Sequence, residues 1–180
     1  MTRENAETLN TQAIELAAQG DYNEAIACFK RAISIEKSNI LLWYNLGITY
    51  RDLGDLELAR TTLEYANDLA EGEDEEILET LSLLCFTIGI MDEAFAYCMD
   101  GLALNDKNPH LWNNLGVLFF NNTEYEDACY AFENAVSLCP YYYDALFNLR
   151  DTYIELENDA GAEECERRMS GLFPGDSSLA

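Results

Sequence analysis

Trp43-x-x-Leu46-Gly47-x-x-Tyr50 returns further along the chain as Trp112-x-x-Leu115-Gly116-x-x-Phe119. The four places are spaced i, i+3, i+4 and i+7, which puts them on one stripe of an α-helix. Working outward, the same register fits a unit of 34 residues that occurs five times, starting at Ala6, Ile40, Glu75, Pro109 and Tyr143. The units run 6–39, 40–74, 75–108, 109–142 and 143–176, and the one irregularity is a single extra residue near Asp74. Position 4 of the unit reads Leu9, Trp43, Leu78, Trp112 and Leu146, and position 7 reads Gln12, Leu46, Leu81, Leu115 and Leu149. Position 11 reads Leu16, Tyr50, Cys85, Phe119 and Tyr153, whereas position 8 is small in four units (Ala13, Gly47, Ser82, Gly116) and Arg150 in the fifth.

A second stripe, at positions 20, 24 and 27, predicts a partner helix in each unit: Ala25, Phe29 and Ala32; Ala59, Leu63 and Ala66; Ala94, Cys98 and Gly101; Ala128, Phe132 and Ala135. Small residues at 8, 20 and 27 let the two helices approach, and large ones at 4, 7, 11 and 24 fill the space between them. Between the helices lie the turn signals Gly20-Asp21, Gly54-Asp55, Gly89 before Met91-Asp92, and Asn122-Thr123. Glycine supplies the left-handed helix exit, and the Asp or Asn is expected to accept hydrogen bonds at the next helix start. Asn108-Pro109, Cys139-Pro140 and Phe173-Pro174 mark unit boundaries, where proline is tolerated.

With Tyr125, Ala128, Phe132, Ala135 and Pro140 following Trp112, Leu115 and Gly116, the chain resembles the tetratricopeptide repeat over nearly its whole length. The resemblance implies an all-α, right-handed superhelical solenoid of about five helix-turn-helix repeats. It also implies a scaffold that holds other proteins rather than an enzyme. Gln12 in the first unit and Arg150 and Glu166 in the fifth depart from the pattern, as the polar outer units of a stack do. The five units therefore read as a single domain spanning residues 1–180.

Composition fits that reading. Hydrophobic residues make up 49% of the 180 residues, enough for a continuous core, and no Gly, Ser or Pro stretch marks a second domain. The polar run from Thr2 to Glu7 leads straight into a periodic helix, so neither a signal peptide nor a membrane span is expected and the chain reads as cytoplasmic. Six cysteines occur without a CxxC pair, and they sit at repeat positions suited to reduced thiols. A single histidine, His110, excludes multi-histidine metal sites, and no GxSxG, GxGxxG or phosphate-loop pattern is present. No catalytic residue, metal or cofactor is expected.

The 10 Lys and Arg residues face 34 Asp and Glu residues, for a net charge of −24. Between Arg60 and Arg150 the only cationic side chain is that of Lys107. Nucleic acid and anionic membrane are disfavoured as partners, because both demand cationic neutralisation. Either this charge keeps a scaffold soluble or it steers the chain toward basic partners.

Function is sought on the face of each first helix opposite the core stripe, at positions 2, 5, 6, 9, 12 and 13. Position 9 carries Ile14, Ile48, Leu83, Val117 and Asp151, with Leu41, Tyr44, Phe86, Phe120, Phe147 and Ile154 nearby. Either neighbouring first helices bury these groups or a ligand does, and aromatic residues on an accessible face are natural binding anchors. Position 6 reads Thr11, Asn45, Thr80, Asn114 and Asn148; Asn113 and Asn121 make the fourth unit amide-rich. Members of the resembled family that bind extended peptides use Asn at this position on the peptide backbone, and the resemblance carries that role to Asn45, Asn114 and Asn148. Glu76, Glu79, Asp144 and Asp151 are the residues expected to steer such a ligand electrostatically.

The carboxylate clamp of the family's cochaperone members is not present. It needs Lys, Asn, Asn, Lys and Arg where the first three units offer Asn10, Ile14, Asn45, Glu76 and Thr80. The expected partner is another protein, presenting an extended or helical segment that is apolar with basic residues. A dedicated secretion-type chaperone and a self-associating structural subunit are the alternative readings.

Overall fold

A computed structural model describes residues 5–172, which form ten α-helices and no strand. The helices are α1 (Ala6–Ala18), α2 (Tyr22–Ile35), α3 (Ile40–Leu53), α4 (Leu56–Leu69), α5 (Glu75–Thr87), α6 (Met91–Leu104), α7 (Pro109–Asn121), α8 (Tyr125–Leu138), α9 (Tyr143–Glu155) and α10 (Asp159–Leu172). Each odd-numbered helix begins on a unit start read from the sequence. The extra residue lies in the α4–α5 linker, where Glu71 and Gly72 both take positive φ. Phe173-Pro174 and the end of the fifth unit lie outside the described residues.

Two compact units divide the chain, Met1–Gly89 and Ile90–Ala180. In the first, α2 packs on α1 and α3, and α4 packs on α3 and α5; in the second, α7 packs on α6 and α8, and α9 packs on α8 and α10. The second-helix stripe is buried as its spacing requires, with Phe29, Leu63, Cys98 and Phe132 each at most 1% exposed. Burying one such Leu or Phe is worth about 1.5–3 kcal/mol. The close approach is visible at Gly47 and Gly116. A Cβ on Gly47 would meet Leu63 Cγ at 2.6 Å, and one on Gly116 would meet Phe132 Cε1 at 2.5 Å. Cys28, Cys85, Cys98 and Cys165 are buried thiols, and Cys98 Sγ donates to the Leu111 carbonyl at 3.2 Å.

The single core stripe expected on the first helices is incomplete. Positions 3 and 10 are buried as well: Leu42 and Thr49 on α3, Ile77 and Leu84 on α5, Leu111 and Leu118 on α7, Ala145 and Thr152 on α9. α3, α7 and α9 each lie between their own partner and the second helix of the preceding unit, and a helix so placed must be apolar on two faces. On α1 the same positions, Thr8 and Glu15, are exposed.

Trp43 and Trp112 are only partly buried. Each indole Nε1 donates to a carbonyl of the linker before its own helix, Trp43 to Lys37 at 2.8 Å and Trp112 to Asp106 at 2.7 Å. Tyr65 lies against Trp43 with ring centroids 4.5 Å apart, and Tyr130 lies edge-on to Trp112 at 5.9 Å.

The turn acids act less uniformly than expected. Asp55 does cap α4, accepting from Leu58 N at 3.2 Å, but Asp21 makes no side-chain cap bond, and Ile90 and Glu124 stand at the cap positions of α6 and α8. The main chain closes four of the turns in the same way, whether or not a side chain caps the next helix. Asp21 N donates to Leu16 O, Asp55 N to Tyr50 O, Glu124 N to Phe119 O and Asn158 N to Tyr153 O, at 2.8–3.0 Å. The residue before each donor is left-handed: Gly20, Gly54, Thr123 and Glu157.

Candidate functional site

In the first compact unit the outward face is built by α1, α3 and α5. Asn45 Nδ2 donates to Asn10 Oδ1 at 3.1 Å, tying α3 to α1. Tyr44 then ties α3 to α5: its hydroxyl donates to Glu76 Oε1 at 3.1 Å and lies 3.2 Å from Thr80 Oγ1. Burial pushes the Tyr44 phenol up; the Thr80 bond pulls it back, and the Glu76 charge raises it further. Around these contacts Leu41 is 54% and Leu83 48% exposed, whereas Ile48 and Phe86 are partly buried. Glu79 is partly buried on the same helix as the exposed Glu76.

A cavity of about 240 Å³ opens on this face, lined by Ile40, Leu41, Tyr44, Asp74, Glu76 and Ile77. Asp74 Oδ1 is held by the start of α5, accepting from Glu76 N at 3.0 Å and Ile77 N at 3.2 Å. The densest acidic run of the sequence is thus partly a helix cap, which favours negative charge at that end of the helix.

The second compact unit repeats the amide bridge. Asn148 Nδ2 on α9 donates to Asn113 Oδ1 on α7 at 3.0 Å, and Asn113 is 7% exposed. Asn113 therefore orients Asn148 from below rather than offering an open surface. Asn114 is partly buried on α7, and Asn121 is exposed at its end. Val117, Phe120, Phe132, Asn148 and Asp151 line a cavity of about 100 Å³, and Phe120 packs edge-on to Tyr125 at 5.3 Å. Phe147, 40% exposed, carries the Arg150 guanidinium 4.2 Å above its ring. Arg150 also binds Asp151 Oδ1 through Nε at 2.9 Å and Nη2 at 2.6 Å, so Asp151 is locally neutralised while Asp144 stays exposed.

One rule connects these contacts: a residue at position 5 meets the residue at position 6 of the next unit. Asn10 meets Asn45, Tyr44 meets Thr80 and Asn113 meets Asn148. The repeat pattern presents position 6 as a row toward a ligand and does not by itself pair Asn45 with Asn10 or Thr80 with Tyr44. The signal was available, because the partners are separated by one unit plus one residue.

Among the described residues no group of three or more His, Cys, Asp or Glu is placed to hold a metal ion, and no helix is long and apolar enough to cross a membrane.

Sequence profiles of the tetratricopeptide repeat match residues 15–54, 40–72 and 109–142. The chain belongs to the tetratricopeptide-repeat family, an all-α helical-repeat solenoid fold that serves as a scaffold for protein–protein interaction. It is similar to the BBSome complex member BBS4 of Bos taurus, with 28% identity over 144 residues, covering 80% of this chain and 28% of that one. The chain thus spans under a third of the length of the curated relatives it matches. Among solved structures, MamA from Desulfovibrio magneticus RS-1 shares the fold with a TM-score of 0.82 at 18% identity, over 96% of this chain and 97% of that one. YrrB, described as a TPR protein with an unusual peptide-binding site, matches with a TM-score of 0.72 at 20% identity, over 95% and 87% of the two chains.

Proposed function

We propose that this chain is a non-catalytic scaffold whose first-helix faces bind a segment of a partner protein that is apolar with basic residues. The observation that carries this is the exposure of Leu41 (54%), Leu83 (48%) and Phe147 (40%) on faces that also present Glu76 and Asp144. Exposed apolar groups among carboxylates favour a ligand that is greasy and cationic at once. The net charge of −24 adds long-range attraction for such a ligand. Support of a general kind comes from YrrB, a fold neighbour with a peptide-binding site, and from BBS4, a relative that is a member of a complex.

Asn45 and Asn148 each spend one amide N–H on a neighbouring helix, which leaves the second N–H and the carbonyl oxygen for a ligand backbone. The bridge fixes the direction of the amide before any ligand arrives, and preorganisation of that kind lowers the cost of binding.

Panning a random peptide library against the immobilised full-length chain tests the reading, with the selected peptides mapped by backbone amide shifts. The expected outcome is enrichment of apolar residues with Lys or Arg, and shifts at Leu41, Leu83, Val117 and Phe147. Selection of acidic peptides, or shifts confined to second-helix residues such as Tyr65 and Tyr130, would overturn it.

A further inference from the structure

We propose that the cavity between α3 and the start of α5 is a receptor for one long basic side chain, Lys or Arg, of the bound segment. This deepens the function proposed above and rests on it for the identity of the ligand, but the cavity is testable alone.

The walls are apolar: Ile40 and Leu41 from the first turn of α3, the ring of Tyr44 one turn on, and Ile77 from α5. An aliphatic stem of three or four methylenes is the natural filling for such a slot, as Lys and Arg bury their stems and keep the charged head at the wet end. About 240 Å³ exceeds the space of a few waters and suits a single long side chain.

The remaining lining residues, Asp74 and Glu76, are both acidic, and none of the lining residues is cationic. The nearby Arg51 is already paired with Asp52 at 2.9 Å. Hydrogen bonds orient both carboxylates, although Glu76 is exposed. Asp74 is fixed by two backbone N–H groups of α5 and Glu76 by the Tyr44 hydroxyl, so each keeps acceptor capacity in a set direction. An apolar slot rimmed by two oriented anions complements a cation on an aliphatic stem. An uncharged stem would leave the rim unanswered, and an anionic one would be repelled.

The test uses three capped amino acids, acetyl-arginine-, acetyl-lysine- and acetyl-norleucine-methylamide, titrated into the isotope-labelled full-length chain. Saturable amide shifts at Tyr44, Asp74, Glu76 and Ile77 are expected with arginine or lysine but not with norleucine. Glu76→Gln should weaken them about fivefold, the size of one partly screened charge contact. Tyr44→Phe, which frees the Glu76 carboxylate while keeping the ring, should weaken them less. Equal shifts with norleucine, shifts spread over acidic residues elsewhere on the surface, or indifference to Glu76→Gln would each overturn the proposal. Because these probes carry no segment, a library peptide that maps away from the first-helix faces sinks the broader reading without touching this result.

Discussion

Gly116 stands so close to Phe132 that a methyl group on it would meet the ring at 2.5 Å, and Gly47 has the same relation to Leu63 at 2.6 Å. Phe132 is 1% exposed and belongs to a buried cluster with Ala128, Ala135 and Leu146, so moving its ring disturbs that packing. Gly116→Ala gains about 1 kcal/mol of helix propensity and loses about 1–3 kcal/mol to overpacking, so a net loss is expected. Gly171 on α10 has nothing within 4 Å of the same added atom, and Gly171→Ala should gain stability. Urea denaturation of the two variants checks the opposite signs.

Thr123 (φ 62°) and Glu157 (φ 55°) occupy the left-handed turn position that Gly20, Gly54 and Gly89 fill elsewhere. A residue with a Cβ costs about 1–2 kcal/mol there, more acutely when β-branched, and glycine returns about half of that in chain entropy. Thr123→Gly should therefore raise the midpoint of thermal unfolding. A lowered midpoint would show that the turn is relaxed.

Asn148→Ala strands the buried Asn113 carboxamide, which should cost about 1–3 kcal/mol. Asn45→Ala strands the less buried Asn10 and should cost less. Both variants should keep their helical circular dichroism while their denaturation midpoints separate in that order. Loss of peptide binding in Asn148→Ala has to be read beside this destabilisation, which makes Leu83→Ser, at an exposed position, the cleaner probe of ligand contact.

Glu133 Oε1 accepts from Tyr153 Oη at 2.7 Å and from Cys129 Sγ at 3.6 Å. Burial first, and the Glu133 charge second, push the Cys129 thiol up from 9 to about 11. Two pH units make its thiolate about a hundredfold scarcer than that of a free thiol at about pH 8, so alkylation of Cys129 should be slowed accordingly. The unfolded chain releases this proton first. The contribution to stability is therefore whole below pH 9 and lost as pH climbs toward 11, and the raised Tyr153 phenol acts in the same direction. Glu133→Gln should lower the pH midpoint of Cys129 alkylation, whereas an unchanged midpoint would assign the shift to burial alone.

The repeat made the helices legible, because each first helix starts where the 34-residue register starts and the stripe from Ala25 to Ala135 is buried. What stayed hidden was the second buried face, Leu42, Ile77, Leu111 and their partners at position 10. One core stripe per helix accounts only for the contact within a pair, whereas first helices also pack on the second helix of the preceding unit. The bridges from position 5 to position 6 were hidden for a related reason. Asn, Tyr and Thr at those places look like solvent-facing residues until the register of one unit against the next is known. Arg150 over Phe147 follows from neither periodicity nor spacing, only from side-chain packing.

The indole bonds to Lys37 and Asp106 give the chain an optical property. Its two tryptophans fall one to each compact unit, each tethered to a linker carbonyl and flanked by a tyrosine. Single-tryptophan variants, Trp43→Phe or Trp112→Phe, turn the native fluorescence into a private readout of one half of the molecule. Loosening of a single linker becomes visible as a spectral change in that half alone, without any added dye.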